Sequence, residues 1–139
     1  MSALATAAIL AQNGIEPILQ FTTRDRNRIA IQGDLLGGWA LDIPNILCLY
    51  GDEVKGGDQP DTKEVRDLDT IGILRTAHEI KTKKMYPSGR KINDAPEFFI
   101  GGADTPFKIN NDFDGFNLVK KIEAGVEFFQ TQYVSRKIF

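Results

Sequence analysis

The stretch that decides the fold is NILCLYGD, Asn45 to Asp52. Ile46, Leu47, Cys48, Leu49 and Tyr50 form an unbroken apolar run of strand length, closed by Gly51-Asp52. A run without polar alternation predicts a strand buried on both faces, as in a parallel sheet covered by helices. Ile43-Pro44-Asn45 separates it from residues 25–41, where Ile31, Leu35 and Trp39 recur at four-residue spacing. That spacing puts the apolar side chains on one helical face. Further upstream, Ile15 to Phe21 (IEPILQF) is short and apolar, and it ends in Thr22-Thr23 as a buried strand would. Residues 2–13 are helix formers, stopped by Asn13-Gly14.

Downstream of Asp52, a polar loop from Glu53 to Arg66 carries Gly56-Gly57 and Pro60. Leu68, Ile71, Leu74 and Ala77 mark the next helix, with Asp67 as its expected N-cap. A second loop, Lys83 to Pro96, leads to the strand Glu97 to Ile100, which Gly101-Gly102 is expected to end. Asp114 or Gly115 opens a helix through Ala124, Gly125 caps it, and Val126 to Val134 is the last strand. The pattern is α/β, with four parallel strands alternating with helices in one domain over residues 1–139. An open doubly wound sheet and part of a (β/α)8 barrel both satisfy it, and periodicity does not choose between them.

Apolar residues make up 42% and charged residues 26% of the chain, the balance of a globular protein. A net charge of -2 gives no electrostatic footprint for nucleic acid or an acidic membrane surface. No apolar stretch approaches the roughly 20 residues of a membrane span. The opening segment lacks the basic start of a signal peptide, so a cytoplasmic location is expected. One cysteine, Cys48, and one histidine, His78, exclude an internal disulfide framework and a self-contained zinc site. Cys48, central to its strand, reads as an inert core thiol, and His78 reads as a structural residue of an amphipathic helix. Trp39, Phe98 and Phe99 read as core, and Lys81, Lys83 and Lys84 as a solvated helix end.

Several familiar motifs fail on inspection. Asn110 to Gly115 resembles the start of a calcium-binding EF-hand loop, but its twelfth position is Lys121 where a bidentate Glu is required. No dinucleotide or P-loop glycine spacing occurs, and no Gly-x-Ser-x-Gly. The informative positions are instead the strand ends, because ligands of parallel α/β folds meet the C-terminal ends of the strands. Here those ends read Gln20-Phe21-Thr22, Tyr50-Gly51-Asp52, Ile100-Gly101-Gly102 and Gln130-Thr131-Gln132. Asp52 stands out, a carboxylate placed directly after five apolar residues and a glycine. It is either a loop N-cap or a group aimed at a ligand.

Five segments, taken in order, resemble one family. They are FTTRDRNR (21–28), QGDLLG (32–37), NILCLYGD (45–52), VRDLD (65–69) and NLVKKIEAG (117–125), the last running into Gln130-Thr131-Gln132. Their order and spacing are similar to methylenetetrahydrofolate reductases, especially the bacterial and archaeal branch with a Thr-x-Arg-Asp-Arg-Asn segment, over nearly the whole chain. The resemblance implies a (β/α)8 TIM barrel, here a partial one, binding flavin at its C-terminal face. It implies an oxidoreductase of one-carbon metabolism in which NAD(P)H reduces FAD (or FMN), and the flavin passes hydride to methylenetetrahydrofolate to give methyltetrahydrofolate. That product feeds methionine biosynthesis or the reverse, acetyl-forming direction.

Residue roles follow at matching positions. Asp52 matches an aspartate near the flavin pyrimidine and the folate, where its charge tunes the flavin and favours the cationic iminium form of the substrate. Gln132 matches a glutamine that contacts the folate. Asp114 and Lys121 match residues holding the ribityl and phosphate part of the flavin. Asn117 lies one helical turn before Lys121 and joins them, and Thr22 sits where a strand-end threonine packs beside the flavin. Without the resemblance, Lys121 reads as a surface helix residue, Asp114 as an N-cap, and Arg24-Asp25-Arg26 as a turn fixed by ion pairing.

The chain departs from the family pattern in three ways. The first family strand, with its glutamate general acid, has no counterpart. Tyr50 stands where Thr or Arg is usual, and Gln20 where His is usual. The last strands are also missing, so the expectation is a partial barrel with open sheet edges. Three forms fit this pattern: a fragment of an active reductase, a half-barrel completed by a second copy or a partner chain, and a non-catalytic binder of flavin or folate.

Overall fold

The computed structural model describes residues 1–104 and 115–133. Helix α1 (Ala3–Gln12) precedes β1 (Ile18–Thr22), α2 (Arg28–Ala40), β2 (Asn45–Leu49) and α3 (Thr70–Lys83). Then come β3 (Phe99–Asp104), α4 (Phe116–Glu123) and β4 (Phe128–Thr131). All four strands are parallel, in the order β1-β2-β3-β4. Each strand therefore pairs with its sequence neighbour, with a helix in every connection. Right-handed crossovers that always step in one direction place their helices on one face. Among the described residues no reversal of strand order occurs, and a doubly wound sheet needs one. The arrangement is an arc of a (β/α) barrel.

The helix-covered face holds the core. Leu19, Phe21, Ile46, Cys48 and Ile100 point into it and pack with Ile31 and Leu35 of α2 and Ile73, Leu74, Ala77 and Ile80 of α3. The opposite face is not covered by any described element. Strand β1 accordingly alternates exposed and buried residues, unlike the expected burial on both faces, which β2 does show with Ile46, Leu47 and Cys48 all buried. Along that open face, register aligns Ile18 with Asn45 and Asn45 with Phe99, then Gln20, Leu47, Gly101 and Phe128. Ile18 and Phe99 are 49% and 47% exposed. The lower part of this face carries Ile18, Asn45 and Phe99, and its upper part, towards the strand ends, carries Gln20, Thr22 and Gln130.

Burial of Cys48 pushes its thiol up to about 12. The folded protein is expected to leave a thiol reagent unconsumed at about pH 8, where a free cysteine is substantially ionised. One equivalent should react on unfolding; rapid reaction of the native protein would contradict this burial.

Several boundaries differ from expectation for identifiable reasons. Gly101 and Gly102 lie inside β3 and do not end it. A Cβ on Gly101 would sit 2.3 Å from Cζ of Phe128, so the bare backbone makes room for that ring, which stacks on Phe99 at 4.9 Å. The N-cap of α3 is Asp69, which accepts from the Gly72 N–H at 2.6 Å, and not Asp67. Asp67 instead accepts from the Arg28 backbone N–H at 2.9 Å and from Nε and Nη2 of its guanidinium at 2.8 Å each. The start of α2 is thereby tied to the start of α3. Helix α2 begins at Arg28, capped by Asn27, leaving residues 23–26 as a turn. Lys81 is no solvated end: its ammonium bonds Glu127 at 2.7 Å and the Phe98 carbonyl at 2.7 Å.

The Arg28 guanidinium, and then its N–H, hold the Asp67 carboxyl well below the usual carboxylate range. A group depressed on folding stabilises fully above its unfolded pKa, about 3.9 for Asp, and loses that contribution as pH falls through its folded value. The difference in thermal midpoint between wild type and Asp67→Asn should thus be constant near neutrality and shrink below about pH 4. A difference that persists undiminished into strong acid would contradict the pairing.

Candidate functional site

The C-terminal strand ends converge on two adjoining depressions. The first, about 500 Å³, is lined by Gln20, Leu49, Ala103, Lys121, Gln130 and Gln132, among others. The second, about 380 Å³, lies between the end of β2, the start of α3 and the side of α4. Tyr50, Thr70, Asp104, Asn117, Lys120 and Lys121 contribute to it. Both volumes fall in the range of small-molecule sites. Lys121 and Asp104 line both depressions, at the ridge between them.

Lys121 reaches that ridge because α4 returns across the end of β3. Its ammonium bonds the Ala103 carbonyl at 2.6 Å and Asp104 Oδ1 at 3.2 Å, with the side chain 17% exposed. Asn117 and Lys121, one turn apart, face the second depression together, as their spacing implies. Lys120 enters it too, its ammonium 4.1 Å from the centroid of the Phe116 ring. Asp69 already serves the N–H of Gly72 and Asp104 serves Lys121, so the carboxylates here have partners. The Lys120 ammonium, the third N–H of the Lys121 ammonium, the Asn117 amide and the first turn of a fourteen-residue helix are left to meet a ligand. That donor set suits a phosphate-bearing molecule.

Of the expected site residues, Gln132 and Lys121 meet in the first depression, and Asn117 and Lys121 in the second. Thr22 ends β1 half-buried, its hydroxyl accepting from Arg26 at 3.4 Å, and it packs against Gly51. Asp52 lies beyond β2 and is exposed, and it lines neither depression. Asp114 lies outside the described residues. Asp104 and Lys120 were not anticipated. The expected end of β3 at Gly101-Gly102 hid Asp104, and Lys120 carries no signal separating it from a solvated helix lysine.

The turn after β1 and the loop after β2 are locked together at this end. Arg24 pairs with Asp25 at 2.6 Å, and Arg26 with Asp34 at 2.8 Å, so the charged turn is held by ion pairs. The Arg24 guanidinium holds Asp25 below the usual carboxylate range. No group of three metal-ligating side chains occurs among the described residues. None of the described helices is long and apolar enough to cross a membrane.

A parallel β/α arc with polar strand ends is common to many enzymes, and fold alone does not assign chemistry. The deciding observation is that the sequence model of the methylenetetrahydrofolate reductase family matches residues 1–136. The chain belongs to that family. It is a methylenetetrahydrofolate reductase-type oxidoreductase, of folate-linked one-carbon metabolism, and the arc of parallel strands agrees with the family's barrel. No curated protein matches the chain.

Proposed function

We propose that the strand ends of this chain form the flavin and folate site of a methylenetetrahydrofolate reductase, using FAD (or FMN) and NAD(P)H as hydride donor. The observation that carries this reading is the convergence of Gln132, Lys121 and Asn117 on two adjoining depressions at one end of the sheet. When bound, the flavin supplies hydride transfer. Lys121 and Asn117, with Asp114, hold its phosphate and ribityl portion, and Lys120 adds a second cation. Thr22 packs beside the ring. Gln132 orients the folate, and Asp52 contributes a fixed negative charge beside the carbon that becomes cationic in the iminium form of the substrate.

The same reading has the open face of the sheet, with Ile18 and Phe99 half exposed, covered in the working enzyme by further barrel strands. Those strands come from further residues of the same protein, a second copy or a partner chain, and the protein works in the cytoplasm.

Lys121→Ala should weaken FAD about 10- to 100-fold, the value of a charge-assisted hydrogen bond of about 1.5–3 kcal/mol. Titration of flavin fluorescence reads this directly. Asp104→Asn, which leaves the ammonium in place, should bind FAD at least as well as wild type. Unchanged affinity in Lys121→Ala would remove the phosphate role.

A further inference from the structure

Three successive carbonyls at the end of β2 are each held by a side chain from elsewhere. The Tyr50 carbonyl accepts from the Thr23 hydroxyl at 3.2 Å and from Arg66 Nη1 at 3.2 Å. The Gly51 carbonyl accepts from both Nη atoms of Arg66, at 3.3 Å each. The Asp52 carbonyl accepts from Arg24 Nη1 at 3.3 Å. Gly51 has φ +87, and a Cβ there would lie 3.0 Å from Cβ of Arg24, so this turn is pressed onto the end of β1. The chain leaves β2 in one fixed direction, with the Asp52 carboxylate at its tip.

Arg66 is itself held from every side. Its guanidinium lies 3.9 Å from the centroid of the Tyr50 ring, and its Nε donates to Glu64. Glu64 in turn accepts from the Val54 N–H at 3.0 Å, and the Val65 N–H donates to the Arg24 carbonyl at 2.8 Å. Arg66 also has φ +42, a left-handed conformation that a side-chain-bearing residue adopts at a cost. Such a cost persists where surrounding contacts over-determine it, and here those contacts converge on the backbone of residues 50–52.

We propose that Arg66 is a positioning residue for Asp52, its planar fork fixing the Tyr50-Gly51-Asp52 backbone and with it the place of the carboxylate. This rests on the reading of Asp52 as the charge beside the flavin and folate. A lysine at position 66 keeps the charge but has no fork to bridge two carbonyls and no plane to stack on Tyr50.

The test compares wild type, Arg66→Lys, Asp52→Asn and the double variant, all loaded with FAD. It reads kcat and the reduction potential of the bound flavin. Moving or removing the Asp52 charge makes the flavin easier to reduce, so Asp52→Asn should raise the potential. Arg66→Lys should raise it part of the way and lower kcat on the order of tenfold to a hundredfold, as misplacement of a reacting group does. Adding Arg66→Lys to Asp52→Asn should change neither quantity further. An equal effect in both backgrounds, or none in either, overturns the positioning role. Wild-type kcat and potential in Asp52→Asn would overturn instead the reading of Asp52 on which it rests. In flavin-free protein, Arg66→Met should move the Tyr50 and Gly51 carbonyl carbon resonances upfield as their hydrogen bonds are lost. Unmoved resonances would also overturn the proposal.

Discussion

Asp52→Asn is expected to lower turnover of methylenetetrahydrofolate by about 10²- to 10³-fold, the range seen when one preorganised electrostatic group is removed. The change is nearly isosteric and removes a single charge. The wild-type carboxylate is exposed and accepts no hydrogen bond from a described residue; only its backbone carbonyl is held, by Arg24. Stability should therefore stay within about 0.5 kcal/mol, as for most surface substitutions. Flavin affinity should also hold, because Lys121 and Asn117 lie on another element, α4. The measurement is kcat beside a thermal midpoint and an FAD titration on the same preparation. A fall in kcat with the other two unchanged isolates a role in the transition state. Full turnover would remove Asp52 from the chemistry.

Gly125→Ala should be the most damaging single methyl in the described chain. Gly125 ends α4 with φ +101, a backbone that side-chain-bearing residues rarely adopt. A Cβ built there would lie 2.4 Å from Cγ of His78 and 2.6 Å from its Cβ. The His78 Cβ is fixed to α3, so the clash is not relieved by swinging a flexible tip. Backbone strain of about 1–3 kcal/mol and overpacking of about 1–3 kcal/mol add to roughly 2–6 kcal/mol of lost stability. In thermal unfolding this means a fall of roughly 10 °C or more for a chain of this size. Gly125→Ala combined with His78→Ala should recover only the share of the clash due to the ring, because the Cβ at position 78 stays 2.6 Å away and the backbone part is untouched. Gly101→Ala should cost less, although its built Cβ is 2.3 Å from Phe128, because that ring tip lies on the open face and is free to turn away. A wild-type midpoint in Gly125→Ala would contradict the close packing of α4 on α3.

The parallel class of the fold was legible in Ile46 to Tyr50, because a buried central strand needs no polar alternation. The helices were legible because Ile31, Leu35 and Trp39 in one, and Ile71, Leu74 and Ala77 in the other, recur at the helical period. Strand order was not, since periodicity reports which face is buried and not which strand lies alongside. Gly101 and Gly102 misled for a physical reason: glycine commonly punctuates, but here it clears space for Phe128 and Val126. Asp67 misled because an acidic residue before a helix serves equally as a cap or as an ion-pair partner, and Arg28 claimed it from 39 positions away.

At the site, Lys121 and Asn117 share a face by local spacing, which sequence carries. The Arg24 and Arg66 contacts to residues 50–52 depend on how the loop after β2 folds back on the turn after β1. No local pattern encodes that. The resemblance pointed to Asp52 and Gln132 without showing what holds them.

The most direct measurement is the second half-reaction. FAD-loaded protein is reduced without oxygen, mixed with methylenetetrahydrofolate, and followed by the visible absorbance of the flavin while the folate is recovered. The expected result is reoxidation of the flavin with stoichiometric methyltetrahydrofolate, slowed by Asp52→Asn. Flavin that stays reduced in the presence of the folate, or protein that takes up no FAD, would contradict the assignment of these strand ends as the reductase site.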